Sequence, residues 1–296
     1  MIKNFARALR ASFLAASILP FVFGSLIVRI NFNLIGFILG LFAVVFTHLS
    51  ANLINDYADS RSGVDNYDKH FYPFFGGSKL IQENIFSERF YFKAAIFCAV
   101  FAFFSVILLA FVLKSILVIL FYLLIIILSW QYSAKPFQFS YHYLGEIFIF
   151  VLFGPALVMG GYFIQSGIFP DLRSFILSIP LGLFTAAILF ANEIPDFRDD
   201  QQANKNNWVR LSGLNKAYLI YGGLLFFSFS SIILGSLLRY IGVFSLVSLL
   251  LVIPAFRAVR ILRGSHSDKI RLLESSGITI NMQVALSIIL ILSLIL

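Results

Sequence analysis

The sequence has little charge and almost no cysteine. Asp, Glu, Lys and Arg make up 12% of the 296 residues and hydrophobic residues make up 60%. A soluble domain carries about 25% charged residues, so this composition excludes an ordinary soluble globular protein. The single cysteine, Cys98, excludes an intramolecular disulfide. Because Cys98 lies inside an apolar run, we expect it to be a small packing residue.

Nucleic-acid binding is disfavoured despite a net charge of +8. No basic run carries a recognition motif, and the Lys and Arg residues stand mainly near the ends of apolar runs. Membrane topology and attraction to anionic lipid account for that placement. The predicted partner is therefore the lipid bilayer, and no nucleic-acid partner is expected.

Long apolar runs are what the sequence has instead. Runs of roughly 20 residues can cross a bilayer core, and the first run is expected to stay as a span because no small-residue cleavage site follows it. Nine spans are predicted, at residues 11–28, 33–53, 94–113, 115–133, 146–166, 174–193, 217–238, 240–256 and 278–296. We expect one all-α, polytopic membrane domain over residues 1–296.

The positions of the basic residues orient these nine spans. All but four of the 22 Lys and Arg residues fall on one side of the membrane. The four on the other side are Arg29, Lys114, Arg173 and Arg239. By the positive-inside rule, the N-terminus and the long loops are predicted to be cytoplasmic and the C-terminus external, in an inner or plasma membrane.

Two acidic clusters continue directly from predicted spans on the cytoplasmic side. They comprise Asn52, Asp56, Asp59 and Asp65 after the second span, and Asn192, Glu193, Asp196, Asp199 and Asp200 after the sixth. Residues three or four apart share a helix face, so each cluster predicts a polar stripe. Pro195 is expected to kink or restart its helix, and Gly63 to let the chain turn back.

The two clusters together predict a site for a divalent metal ion. Carboxylates crowded at a membrane boundary repel one another, and a cation relieves that repulsion. No His or Cys stands at ligand spacing, and oxygen ligands favour Mg²⁺, which binds a few carboxylates plus substrate phosphates. The candidate phosphate partners are Arg61, Lys79, Arg198, Lys205 and Arg210. The competing interpretation is that the acids are solvated helix ends that balance nearby cations.

Four stretches resemble a known family. "NDYADSRSGVD" (residues 55–65) resembles the first Asp-rich motif of the UbiA-type intramembrane prenyltransferases, and "NEIPDFRDDQQANKNNWVRLSG" (192–213) resembles their second. "GGSKLIQENIFS" (76–87) and "YHYLGEIFIFVLFGPALVMGGYFIQSG" (141–167) are similar to segments of the branch that includes 1,4-dihydroxy-2-naphthoate polyprenyltransferase.

The resemblance implies a nine-helix bundle whose central cavity holds a polyprenyl diphosphate, with Mg²⁺ bridging the diphosphate to both motifs. The prenyl chain is then passed to an acceptor, commonly an aromatic ring. The implied metal ligands are Asp56, Asp59, Asp65, Asp196 and Asp200, of which all but Asp65 are also assigned to catalysis. Lys79 and Lys205 look like phosphate-facing cations. Asn52, Asn55, Asn192 and Arg210 join the substrate-binding set.

The acceptor is expected near the cytoplasmic entry to the fifth predicted span. The candidate residues there are Tyr132, Lys135, Tyr141, His142 and Glu146. A ring like 1,4-dihydroxy-2-naphthoate, in quinone biosynthesis, is the predicted acceptor. Two departures from the family pattern, Asn204-Lys205-Asn206-Asn207 and "QYSAKPFQFS", leave 4-hydroxybenzoate, homogentisate, geranylgeranylglyceryl phosphate and haem open as acceptors.

Two other classes of membrane protein fit the sequence less well. A cation transporter would use acidic groups to coordinate ions, but transporters usually place them near the bilayer midplane, and both clusters here are predicted at one face. A CDP-alcohol phosphotransferase would require a run of the type D-x2-D-G-x2-A-R, which the sequence lacks. The prenyl chain length and the oligomeric state are not specified by the sequence.

Overall fold

The fold of the chain is all-α, as predicted. It is seen in a computed structural model that describes residues 1–28, 30–68, 70–266 and 268–296. The described residues form α-helices and short 3₁₀ turns, and no β-strand occurs among them. The helices are α1 (Ile2–Ala8), α2 (Ala15–Leu26), α3 (Leu34–Ser62), α4 (Glu88–Leu113), α5 (Leu117–Gln131), α6 (Gly145–Phe153), α7 (Pro155–Ser166), α8 (Leu172–Gln202), α9 (Trp208–Ser212), α10 (Leu214–Leu237), α11 (Val252–Gly264) and α12 (Lys269–Ile295).

Side-chain caps fix the starts of several long helices. Asn33 Oδ1 accepts a hydrogen bond from Gly36 N at 2.8 Å at the start of α3, and Asp171 Oδ1 accepts one from Ser174 N at 2.6 Å at the start of α8. Asp268 caps α12 in the same way. Such caps satisfy N–H groups that have no partner within the helix.

Seven helical segments in the described part of the chain are long and apolar enough to cross a membrane. They are Leu34–Ser62, Glu88–Leu113, Gly145–Ser166, Leu172–Gln202, Leu214–Leu237, Val243–Gly264 and Lys269–Ile295. The predicted spans at 11–28 and 115–133 correspond to shorter apolar helices, Ala11–Leu26 and Leu117–Gln131. A helix of about 16 residues is only about 24 Å long, less than a bilayer core of about 30 Å, so crossing by these two stays a prediction.

Helix α8 lies at the centre of the packing and has most of its residues buried. It contacts α2, α6, α7, α10 and α12. It continues through Pro180 and Pro195, so the restart expected at Pro195 is not found. Dense packing on several sides holds the helix together despite the missing proline N–H groups. The second acidic cluster is therefore part of one rigid helix.

Helix α3 carries the first acidic cluster and continues well beyond its predicted apolar span, to Ser62. Gly63 then adopts φ 84°, a left-handed conformation that glycine accepts without steric cost. The chain turns there into a 3₁₀ turn at Val64–Asn66 and returns toward the helix bundle. This turn brings residues 64–68 and 70–80, called the return segment below, against α8 and the end of α3.

The helices pack closely through small residues. A Cβ atom on Gly24 of α2 would lie 2.1 Å from the carbonyl oxygen of Val158 in α7, which no side chain could tolerate. Close approach through small residues is typical of helix pairs in membranes. A buried core of α8, α10 and α12 side chains lies on one side, and a second core of α3, α4 and α5 side chains lies on the other.

Candidate active site

A cavity of about 360 Å³ lies among helices α2 to α8. One part of its wall is apolar and includes Phe21, Ala43, Val106, Leu109, Val118, Phe121, Tyr122 and Phe163. The polar part lies toward the C-terminal ends of α3 and α8 and includes Asn52, Asn55, Asp59, Asp65, Lys79, Asn192, Asp196, Asp200 and Lys205. The cavity can therefore hold a molecule that has a long apolar body and a charged head.

The first acidic cluster is held by groups from three other segments. Asp56 is buried and accepts hydrogen bonds from Arg10 and from the backbone N–H of Ser78. Asp59 Oδ1 accepts a hydrogen bond from the Tyr141 hydroxyl at 2.9 Å. Asp56 lies behind Arg10 and does not line the cavity, whereas Arg10 and Asp59 do. The first cluster is thus paired with a cation that precedes α2.

Lys79 and Asp65 form a buried ion pair in the return segment. Lys79 Nζ donates to the Asp65 carboxylate and to its backbone carbonyl, both at 3.0 Å, and Lys79 is only 3% exposed. Burial and the nearby carboxylate of Asp59 raise the pKa of Asp65 to about 7, although Lys79 opposes the shift. Gly77 (φ 75°) passes so close to Asp65 that a Cβ atom would lie 2.7 Å from Oδ1.

The second acidic cluster faces the return segment across the cavity. Asp196 Oδ2 accepts a hydrogen bond from Gly76 N at 2.9 Å. Asp200 accepts one from Asn207 Nδ2 at 2.8 Å and lies 3.7 Å from Lys205 Nζ. The two clusters and the return segment therefore meet at one end of the cavity.

Lys205 lies near acids of both clusters, Asp200 and Asp59. Burial alone would lower its pKa, but the negative charges of Asp200 and Asp59 raise that pKa well above its ordinary value. Its Nζ also lies 5.7 Å from the ring centre of Tyr141. Lys205 is therefore a permanent positive charge at the polar end of the cavity.

Some predicted site residues lie elsewhere. Four of them are exposed and lie outside the cavity wall: Arg61, Lys135, His142 and Arg198. Three others lie behind the wall: Tyr141, Glu146 and Arg210. Arg61 donates to Tyr57 at 2.9 Å, and His142 contacts the Gln138 carbonyl at 3.0 Å. Exposure on a helix end or loop separates these side chains from the cavity, so a role for them in binding stays a prediction. Tyr132 does line the cavity.

Three charged residues of the cavity wall, Arg10, Glu193 and Asp199, were not among the predicted site residues. Arg10 precedes the first apolar run and looks like an ordinary flanking cation, so its contact with Asp56 depends on tertiary structure. Glu193 belongs to the second acidic cluster but does not fit its Asn-x3-Asp spacing. Its spacing of three residues from Asp196, which places both on one helix face, was a signal that could have identified it.

The acids do not form a metal cage by themselves. In the described ranges, no three His, Cys, Asp or Glu side chains converge tightly enough to hold a metal ion. The donors that face the cavity are carboxylate and amide oxygens, and Asn192 Oδ1 is buried without a hydrogen-bond partner. Such donors suit a hard cation that takes its other ligands from a phosphate-bearing substrate and from water.

The fold and the site define a class of protein: a helical membrane protein with a cavity for an amphipathic, anionic molecule. Comparison with protein families identifies it further. Residues 17–281 match the model of the UbiA prenyltransferase family, and the chain belongs to this family.

Two curated relatives and one solved structure are similar to the chain. "UbiA prenyltransferase domain-containing protein 1" of Xenopus tropicalis is 27% identical over 273 residues, covering 90% of this chain and 76% of the relative. The protein of that name in Dictyostelium discoideum is 34% identical over 103 residues, covering 35% of this chain but only 31% of the relative. The chain thus matches under two thirds of the second relative's length.

The solved structure is a UbiA homolog from Archaeoglobus fulgidus bound to GPP and Mg²⁺. It superposes with a TM-score of 0.68 at 16% identity, covering 97% of this chain and 99% of the homolog. At this identity the superposition supports the fold alone. The curated relatives are not named as 1,4-dihydroxy-2-naphthoate polyprenyltransferases, so that branch stays a prediction.

Proposed function

We propose that this chain transfers a polyprenyl group from a polyprenyl diphosphate to an aromatic acceptor, in a reaction that depends on Mg²⁺. The observation that carries the proposal is the polar end of the cavity, where the acids of α3 and α8 meet Arg10, Lys79 and Lys205. Membership of the UbiA prenyltransferase family supports the reaction class. The A. fulgidus homolog bound to GPP and Mg²⁺ supports the substrate and the metal.

The residues present fit a bridging Mg²⁺ ion. Asp59, Asp196 and Asp200 face the cavity from two helices and offer only oxygen donors. Asp56 and Asp65 would complete the set once their own cations turn toward the substrate. When bound, Mg²⁺ would neutralise diphosphate charge and so make the diphosphate a better leaving group.

The three cations have a direct role in the proposed reaction. As the allylic C–O bond breaks, its electron pair passes to the diphosphate oxygen, and negative charge grows there. Arg10, Lys79 and Lys205 can donate hydrogen bonds to those oxygens, which stabilises the charge as it develops. In the structure these cations are paired with Asp56, Asp65 and Asp200. The diphosphate oxygens would therefore replace the aspartates as the hydrogen-bond partners of these three cations.

The apolar part of the cavity would hold the prenyl chain. Phe21, Phe121, Tyr122 and Phe163 contribute aromatic faces to it. Each buried CH₂ group contributes about 0.8 kcal/mol relative to water, although a substrate that arrives from lipid gains much less. The same aromatic wall excludes water from the carbocation-like carbon, and its π faces stabilise positive charge.

For the acceptor, we propose a hydroxylated ring of the kind used in quinone synthesis, such as 1,4-dihydroxy-2-naphthoate in the menaquinone pathway. The new C–C bond forms between a ring carbon and the allylic carbon. That ring carbon then loses a proton to water or to the released diphosphate or, where it bears a carboxylate, loses CO₂, which restores aromaticity. The wall that carries Tyr132, with Glu146 behind it, is the place where such a ring would be oriented. This wall adjoins Lys205, at the end where the diphosphate would lie.

For the membrane arrangement, we propose nine spans, with Ala11–Leu26 and Leu117–Gln131 crossing in addition to the seven longer segments. The polar end of the cavity would then face the cytoplasm, together with the N-terminus. This orientation follows from the excess of Lys and Arg on that side.

The test is prenyl transfer by the purified protein in lipid. Radiolabelled prenyl diphosphates of several chain lengths are supplied with Mg²⁺ and with 1,4-dihydroxy-2-naphthoate, 4-hydroxybenzoate, homogentisate, geranylgeranylglyceryl phosphate or haem. We expect a prenylated ring, identified by mass, and release of diphosphate. Failure to prenylate any acceptor, with the protein folded and Mg²⁺ present, would contradict the proposal.

A further inference from the structure

Glu193 differs from every other acid that faces the cavity. It is 5% exposed, no N–H or hydroxyl group in the described residues donates to its carboxyl oxygens, and its polar neighbour is the carboxyl group of Glu146. By contrast, Asp59 accepts a hydrogen bond from Tyr141, Asp65 from Lys79, and Asp196 from Gly76. Leaving a buried carboxylate without a donor is costly, so this side chain is poised to accept hydrogen bonds from a bound molecule.

The position of Glu193 along α8 indicates which part of the reaction it serves. It precedes Asp196 by three residues, which places it about 4.5 Å farther from the polar end of the cavity. If the diphosphate group of the substrate lies at Asp196 and Asp200, the allylic carbon bonded to it lies farther from the polar end of the cavity, at the level of Glu193. An acceptor ring must reach that carbon from the same level.

The wall around Glu193 is suited to a hydroxylated ring. The carboxyl group of Glu146, in α6, is a neighbour of Glu193, and so is Tyr132, the residue directly after α5. Glu146 Oε1 is held by Trp208 N at 2.7 Å, while Oε2 has no partner. Ile149, Leu152 and Phe153 of α6 complete an apolar surface.

We propose that Glu193 binds the acceptor by accepting a hydrogen bond from a hydroxyl group of its ring, and so selects hydroxylated rings. The inference rests on the proposed function and deepens it by defining the acceptor class. Because the Glu193 carboxyl group faces the cavity and the Glu146 carboxyl group lies behind the same wall, we expect an anionic substituent on the ring to point toward Lys205.

The test compares acceptor rings that do and do not carry a donor. A dihydroxynaphthalene ring and its methyl ether at one hydroxyl are offered to the wild type, E193Q, E193M and the control E274Q, which changes an exposed glutamate paired with Arg257. We expect the wild type and E274Q to prefer the hydroxyl form by about 10-fold or more in kcat/KM, because the methyl ether would leave a buried carboxyl oxygen without a donor.

In E193M this preference should fall to about 2-fold or less, because methionine accepts only a weak hydrogen bond. E193Q, which keeps the shape and one carbonyl oxygen, should lie between. The KM for the prenyl diphosphate should stay within about 3-fold in all variants, since Asp196 and Asp200 are unchanged.

Two results would overturn the inference alone: an unchanged hydroxyl preference in E193M, or a KM for the prenyl diphosphate that rises as much as the KM for the acceptor. If the wild type prenylates no ring while it still binds the diphosphate, the proposed function itself fails. The isosteric E193Q variant keeps the test decisive if E193M does not fold.

Discussion

Lys269 forms ion pairs with both the return segment and the second acidic cluster, and so holds the two together. Lys269 Nζ, at the start of α12, lies 2.6 Å from Asp68 Oδ2 and 3.6 Å from Asp199 Oδ2. Asp68 belongs to the return segment and Asp199 to the second acidic cluster. The segment held in this way carries Lys79 and Asp65. We therefore predict that Lys269→Met loosens residues 66–75.

The magnitude follows from the pKa of Asp68. Burial raises that pKa, but hydrogen bonds from Lys269 and His70 lower it to about 2. Against an ordinary value of about 3.9, the shift corresponds to about 2.5 kcal/mol. Part of it belongs to His70, and the side chains of Asp68 and Lys269 are 20% and 31% exposed, so solvent screening leaves about 1–2 kcal/mol for the Lys269 contact.

The pH dependence of this contribution has a definite sign. The pKa of Asp68 is depressed in the folded state, so its stabilisation is present above the unfolded-state pKa. It is lost only as the pH falls from about 4 toward 2. Between about pH 6 and pH 9 the effect of the substitution should therefore be constant.

Amide hydrogen exchange measures the loosening directly. An opening free energy lowered by about 1–2 kcal/mol accelerates exchange of residues 66–75 by about 5- to 30-fold. Asp68→Asn should give a similar change, and the double variant should add little to either single variant. Arg271→Met, which removes an exposed cation on the same helix, is the matched control. Strictly additive effects of the two single substitutions would refute the reasoning, because they would show no energetic coupling between Lys269 and Asp68.

The remaining predictions concern the site itself. Asp196→Asn should lower prenyl transfer by at least about 100-fold with little change in thermal unfolding, and near-normal transfer would contradict its place in the metal set. Chelation by EDTA should abolish transfer, and Mg²⁺ should restore it while the helix content stays constant; transfer that survives chelation would exclude the metal-dependent mechanism. Gly77→Ala should destabilise the protein by about 1–3 kcal/mol in thermal or denaturant unfolding, since it combines a positive φ with a clash against Asp65, and an unchanged midpoint would refute this. Arg10→Met should leave Asp56 without its cation and raise the KM for prenyl diphosphate about 10-fold or more, whereas an unaltered KM would place Arg10 outside the diphosphate site.

Much of the site could be predicted because it lies on two helices. Asn52 and Asp59, and likewise Asn192 and Asp196, share helix faces by spacing alone, and the structure places all four on the cavity wall. The exposed basic residues near them were less predictable. Sequence proximity to an acidic motif does not determine the direction of a long side chain at a helix end, which is why Arg61 and Arg198 point away from the cavity.

The sequence by itself determined the all-α class, the membrane-like composition and the two acidic stripes, because each depends on local periodicity and apolar content. Only the tertiary structure decided the partners of those acids. Arg10, Lys79 and Lys269 reach Asp56, Asp65 and Asp68 through the turn at Gly63 and the packing of α2 and α12. Glu193 stands out for the same physical reason: whether a buried carboxylate has a donor depends on the three-dimensional neighbours of its oxygens, which residue spacing along one helix does not specify.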